Sequence, residues 1–136
     1  MMRRQDWRGR LVAVCDAAQG RAFEWGLFDC TTFVADCVEA MTDVDPMEKH
    51  RGHYQKRIGA ARQYARAGGL GEAWGDRLGF PINVAAAGCG DVVAYRQGDE
   101  TLVGIVDTTG RFFLAVTETG LHRMPLSNAA SAWRIQ

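Results

Sequence analysis

The spacing of apolar residues changes near Gly90, and this change most constrains what the chain can fold into. Before Gly90, apolar residues recur every three to four positions, which is typical of amphipathic helices. After it, short β-branched and aromatic runs alternate with turn signals such as residues 107–110. Helices followed by strands at hairpin spacing predict an α+β domain, with N-terminal helices packed on a small C-terminal antiparallel sheet.

The pattern predicts four helices and five strands. The helices are expected over 6–18, from a cap at Asp29 to residue 41, over 58–65 and over 70–78. The strands are expected over 92–95, 102–106, 112–116, 121–124 and 132–135. Between the second and third helices, Asp45 and Pro46 are expected to start a short helical turn, and residues 49–54 to form a polar loop.

Composition limits the class of protein. The 136 residues, 47% hydrophobic and 24% charged, predict one compact domain over 1–136. Sixteen basic residues balance sixteen acidic ones, which argues against a nucleic-acid partner. The apolar run at 11–15 is too short for a signal-peptide core or a membrane span. We therefore expect a soluble protein made in a reducing cytoplasm.

The four cysteines match no familiar metal-binding spacing. They lie at positions 15, 30, 37 and 89, unlike zinc-ribbon, zinc-finger or ferredoxin patterns. We predict no metal and no cofactor. Cys15 and Cys37 fall on the apolar faces of predicted helices, so both are expected to be structural.

Cys30 is the one thiol placed where chemistry is possible, at the first turn of the second helix. Exposed amide groups and the helix dipole favour an anion at that end, which would lower a thiol pKa. Phe33 and Val34, however, continue a buried stripe from Cys30, and the adjacent Asp29 disfavours a thiolate. Both a reactive and a structural Cys30 are compatible with the residues.

The segments around Cys30 resemble a known enzyme family. Trp25-Gly26, Asp29-Cys30 and residues 33–36 are similar to the nucleophile helix of NlpC-like cell-wall peptidases, which are relatives of papain. Residues 90–93 and 102–106 are similar to two strands of those enzymes. The resemblance implies an NlpC-like, papain-like fold with Cys30 in the place of the nucleophile.

A second resemblance covers nearly the whole chain. The chain is similar to an uncharacterised family of small phage and prophage proteins related to those peptidases. The matching segments are 23–36, 45–46, 51–54, 59–62, 68–70, 90–93, 125–127 and 132–135. This resemblance implies a tail-tip or tail-assembly protein, located in the virion tail and, during assembly, in the host cytoplasm. Its partners would be other tail proteins, such as hub or tip components, with peptidoglycan as a further possible target.

The sequence departs from the peptidase pattern where the catalytic partners belong. The resemblance places the activating histidine at Leu102, and a leucine cannot take a proton. The residue that orients the histidine falls near Phe113 or Leu114, which are also apolar. His122, on the β half, is the remaining candidate base, whereas His50 and His53 are expected to be solvated in the polar loop.

Two functions from different classes follow. The first is a tail structural or docking protein with an inactive, degenerate peptidase fold. The second is a cysteine peptidase or amidase that cleaves peptidoglycan peptides, with Cys30 as nucleophile and His122 as an unconventional base.

Two further features have a structural and a functional interpretation. The four tryptophans are expected to fill the core rather than to form a sugar- or peptide-binding surface. Asp91 is expected to bond turn amides rather than to act as an acid.

Overall fold

A computed structural model of the protein describes residues 1–65 and 68–136. Its α-helices are α1 (Trp7–Ala18), α2 (Cys30–Thr42), α3 (Arg57–Ala65) and α4 (Leu70–Leu78). Its strands are β1 (Val92–Gln97), β2 (Glu100–Val106), β3 (Phe112–Thr117), β4 (Gly120–Pro125) and β5 (Ala129–Trp133). Short 3₁₀ turns at Val84–Ala86 and Leu126–Asn128 complete the regular structure of the described residues.

The five strands form one antiparallel sheet in the order β4-β3-β2-β1-β5. The pairing of β2 with β3 is short, because it joins only Ile105 to Leu114 and Val106 to Phe113. Gly104 lies just beyond these pairs, and a Cβ there would approach the Phe113 ring to 2.6 Å. A larger residue at 104 would therefore displace that ring.

Helix α2 lies on one face of the sheet and forms the centre of the main core. Side chains that share its apolar face are almost fully buried against β2 and β3, which is the arrangement that its 3.6-residue apolar period predicts. Those residues are Phe33, Val34, Cys37, Val38 and Met41. The other face of the sheet carries a second cluster, built from Val93, Tyr95, Val106, Phe113, Ala115 and Ala132.

The α+β architecture predicted from the sequence is confirmed. The fifth strand differs from the predicted range of 132–135. It begins at Ala129 and ends at Trp133, so Ile135 lies outside it. Pairing with β1 sets this position, since Val92 faces Trp133 and Tyr95 faces Ala129 across a bulge. In the part of the chain that the structure describes, every helix falls short of the length and apolar character that crossing a bilayer requires.

Candidate functional site

Cys30 is the first residue of α2, and it directly follows a helix cap in which both reciprocal hydrogen bonds are made. The Asp29 carboxylate accepts a hydrogen bond from the Thr32 N–H at 2.9 Å, and the Thr32 hydroxyl accepts one from the Asp29 N–H at 2.9 Å. This reciprocal pair is a capping box, and it fixes the first turn of the helix. The prediction that Asp29 caps α2 is confirmed.

The surroundings of Cys30 keep its thiol protonated. Burial raises the pKa of Cys30 to about 11, even though solvent still reaches part of the residue. A backbone N–H of Val103 against the sulfur opposes this rise, whereas the nearby Asp29 carboxylate adds to it. The rise in pKa from desolvation therefore outweighs the lowering that the sequence led us to expect from the N-terminal end of the helix.

The strand beside Cys30 offers the thiol no basic side chain. Val103 is buried in the main core on the α2 side of the sheet, and the neighbouring Leu102 packs with the second cluster. The residue that orients the histidine was expected near Phe113 or Leu114. Phe113 is fully buried and Leu114 pairs with Ile105, so both positions hold apolar side chains that pack within the sheet.

The structure does not bring His122 and Cys30 together. His122 lies on the edge strand β4, directly opposite Ala115, whose side chain belongs to the second cluster. Residues directly opposite on paired strands point to the same face, so His122 lies on the side of the sheet away from α2. Its Nε2 is 2.6 Å from the Thr119 hydroxyl.

The segment predicted as a solvated polar loop is partly buried, and for His50 that prediction is wrong. His50 is half-buried, its ring packs 4.9 Å from the Tyr64 ring, and its Nδ1 is 3.0 Å from Gln63 Nε2. Burial lowers the pKa of His50, which keeps the ring neutral. His53 is exposed, as predicted. Within residues 1–65 and 68–136, no histidine ring forms a hydrogen bond with the Cys30 sulfur.

Tyr54 and Tyr64 are the residues at this site that the sequence did not reveal. The Tyr54 hydroxyl donates to the Asp29 carboxylate at 2.7 Å, and it lies 3.4 Å from the Tyr64 hydroxyl. Beside them, the Trp74 indole N–H is 3.5 Å from the Thr31 hydroxyl. Burial raises the pKa of both tyrosines, that of Tyr64 to about 12, so both remain protonated at neutral pH. Two phenols and an indole thus surround the residues on either side of Cys30.

Asp45 begins a single turn rather than a helix. Its carboxylate accepts from the Met47 N–H at 3.0 Å, and the Arg51 N–H returns to the Met47 carbonyl at 3.1 Å. The same carboxylate pairs with the Arg51 guanidinium, which also reaches Asp36 at 2.7 Å. The predicted cap is confirmed. The helical turn that follows contains one hydrogen bond of the α-helical kind, the one from the Arg51 N–H to the Met47 carbonyl.

The other three thiols are packed against protein, as predicted for Cys15 and Cys37. Cys37 is fully buried, and burial raises its pKa well above the ordinary value. Cys15 packs against the same core, and its thiol forms a hydrogen bond with Cys37 that lowers the pKa of Cys15. Burial also raises the pKa of Cys89. In the described ranges, no three His, Cys, Asp or Glu side chains are grouped so as to hold a metal ion.

The tryptophans and Asp91 serve mainly the fold. Trp74 and Trp133 are buried in the main core, which confirms the structural interpretation for both. Trp7 lies between two guanidinium groups, 4.1 Å from Arg3 and 4.8 Å from Arg8. Asp91 accepts from the Gly88 N–H at 2.9 Å, as predicted, and it also binds Arg3.

Among the described residues, two of the cavities lie away from Cys30. One, of about 370 Å³, lies between α1 and α2, with Phe28 and Phe33 among its lining residues. The other, of about 420 Å³, lies between the 45–50 turn and α4. Cys30 lines neither of them, so the thiol is not the floor of either cavity.

Fold and site together define an α+β protein with a partly buried, protonated cysteine at the start of its central helix. The chain belongs to the family described as Domain of unknown function (DUF6950), which matches residues 2–135. No curated protein matches its sequence significantly.

Proposed function

We propose that this protein is a non-catalytic structural component of a phage or prophage tail, built on a degenerate NlpC-like, papain-like fold. In this account the chain retains the cysteine position of a peptidase but acts through contacts with other tail proteins. Its place in the tail tip or in tail assembly is inferred from the sequence resemblance over nearly the whole chain.

The state of the Cys30 thiol carries the non-catalytic part of the proposal. A cysteine nucleophile reacts as the thiolate and needs an adjacent base or a lowered pKa. Cys30 has the opposite arrangement, because burial raises its pKa to about 11 and the adjacent strand presents Val103. At neutral pH only about one thiol in ten thousand would be ionised with such a pKa.

The architecture is compatible with the NlpC-like assignment. A cysteine at the start of a helix, packed on an antiparallel sheet, is the arrangement that the resemblance implies. Gly104 and its neighbours Val103 and Ile105 lie on the strand that faces this helix. The fold assignment remains part of the proposal.

Particle composition tests the role in the tail. Tail particles would be purified from a lysate of the phage, or of an induced lysogen, whose genome encodes this chain. The proteins of the particles would then be quantified by mass spectrometry. We expect this chain at a fixed ratio to the other tail proteins. Its absence from washed particles, with the protein recovered only in the soluble lysate, would contradict the role.

A hydrolase assay tests the alternative of a cysteine peptidase or amidase. The observation that favours this alternative is the position of Cys30 at a helix N-terminus beside a backbone N–H of Val103. Peptidoglycan peptides would be incubated with the unaltered chain, with Cys30→Ala and with Cys89→Ala as a matched control. We expect no cleavage by any of them. Cleavage that persists in Cys89→Ala and disappears in Cys30→Ala would overturn the proposal.

A further inference from the structure

Residues 48–65, here called the cover, follow Met47, whose side chain is buried in the main core, and they pack on the rest of the molecule through a small cluster of their own. Tyr54, Ala60 and Tyr64 from the cover are buried with Ala73 of α4, apart from the main core. Most of the outer surface of α3 is solvated, and Ile58 is 66% exposed. Segments with few buried apolar contacts are those that open locally while the remainder stays folded.

The cover lies directly over the Cys30 end of α2. The Tyr54 hydroxyl donates to Asp29, the residue before Cys30, and lies 3.4 Å from the Tyr64 hydroxyl. The Tyr54 backbone also lies against Gly26, where a Cβ would come within 2.3 Å of the Tyr54 carbonyl oxygen. These contacts bring the cover onto the cap that directly precedes the thiol.

The remaining attachments of the cover are ion pairs that water can replace. Arg51 pairs with Asp36 of α2 and with Asp45, and Arg57 pairs with Glu100 of β2. Arg57 and Glu100 are 67% and 51% exposed, and Arg51 and Asp36 are 30% and 38% exposed, so Asp45, at 14%, is the one strongly shielded member of these pairs. Such pairs hold a segment in place with little energy.

Cys37 provides an internal comparison on the same helix. It lies seven residues after Cys30, about two turns along α2, and it is fully buried among main-core side chains. Reaching Cys37 requires the helix to leave the sheet or α1 to leave α2. Reaching Cys30 from the side of Asp29, where Tyr54 lies, requires only displacement of the cover.

We propose that residues 48–65 open as a unit, with Tyr54–Asp29 as the principal attachment, and that this opening increases the exposure of Cys30 while α2 and the sheet remain folded. The chain then carries a conditional thiol, partly shielded in the closed form and more accessible in a minor open form. The inference is independent of the tail assignment, because a structural protein and a hydrolase could both carry such a cover.

Tyr54→Phe tests this inference, because it removes one hydroxyl while Asp29 keeps its bonds from Gly26 and Thr32. Folded protein would be labelled with iodoacetamide at fixed pH, and the rates at Cys30 and Cys37 followed by mass spectrometry. Hydrogen exchange of the backbone amides would be followed in parallel. Since a hydrogen bond to a carboxylate is lost, we expect about tenfold faster labelling of Cys30 and exchange in residues 54–65, with Cys37 unchanged.

Tyr95→Phe is the matched control, because it removes a buried hydroxyl that has no hydrogen-bond partner among the described residues. It should leave Cys30 labelling unchanged. Arg51→Gln, compared with Arg10→Gln on α1, provides a second pair in case Tyr54→Phe folds poorly; only the Arg51 change should accelerate Cys30. An equal increase at Cys30 and Cys37 would overturn the proposal, as would faster exchange in the cover with no change at Cys30.

Discussion

The two ends of α2 differ in what holds them. From Phe33 to Met41, its apolar side chains lie against α1 and the sheet in one continuous core. Its start, before Phe33, is fixed by polar contacts, namely the Asp29–Thr32 capping box and the Tyr54 hydroxyl. The difference shows that one helix can be held in two ways. Apolar packing holds most of its length, whereas polar contacts with the cover hold its start.

The contrast bears on function because Cys30 lies at the polar end. In a peptidase this end would be open to a substrate and paired with a base. Here it is covered by tyrosines and its thiol is kept protonated. This arrangement at the start of α2 supports the proposed non-catalytic role.

The largest expected effect is on the packed side of the comparison. Phe33→Ala should lower the free energy of unfolding by about 3–5 kcal/mol, because the side chain is 1% exposed and its removal leaves a cavity in the main core. Urea denaturation followed by circular dichroism measures the change. The matched control is Phe80→Ala at a residue that is 96% exposed, which should stay within about 0.5 kcal/mol.

The next effect is at the contact between the cover and the loop before α2. Gly26→Ala should cost about 3 kcal/mol, because it combines a positive φ of 83° with a Cβ 2.3 Å from the Tyr54 carbonyl oxygen. Gly20→Ala, at a φ of 73° with open space around the Cβ, should cost only about 1 kcal/mol. Equal costs in urea denaturation would show that the cover does not press on Gly26.

A smaller effect depends on pH. Because burial raises the pKa of Cys30 to about 11, the unfolded chain loses that proton at lower pH than the folded chain does. The stabilisation from a neutral Cys30 is therefore complete below about pH 8.5 and is lost as the pH rises towards 11. Cys30→Ser should flatten the fall in unfolding free energy between pH 8.5 and 10.5. An unaltered slope in that variant would mean that Cys30 does not titrate differently on folding.

The smallest effect is expected where the cover meets the sheet. Arg57→Gln should change the unfolding free energy by about 0.5 kcal/mol or less, because both members of its ion pair with Glu100 are exposed. Thermal unfolding at low and high salt would measure it. A cost above about 1.5 kcal/mol would mean that the Arg57–Glu100 pair is itself a principal attachment of the cover.

Local chemistry made much of the fold predictable from the sequence. The cap at Asp29, the apolar stripe of α2 and the turn bonds of Asp91 all depend on residues within four positions, and the structure has each of them. The bounds of β5 were less predictable, because its pairing with β1 across a bulge decides where it starts and ends.

The site was less predictable because its contacts join distant residues. Tyr54 meets Asp29 across 25 positions, and a polar-looking loop gives no sign that its one tyrosine is buried. The face of His122 depends on the pairing of β4 with β3, where a shift of one residue would reverse it. Each of these placements follows from tertiary packing that a single sequence pattern does not specify.

The alkylation rate of Cys30 against pH tests the central claim, that this thiol is not an activated nucleophile, most directly. Folded protein would be labelled between pH 6 and 11, with Cys37 and Cys89 as internal references. The account predicts slow labelling at neutral pH and a rate that keeps rising past pH 9, since the pKa of Cys30 is about 11. Fast labelling with an apparent pKa well below the free-thiol value of about 8.5 would contradict it and restore Cys30 as a candidate nucleophile.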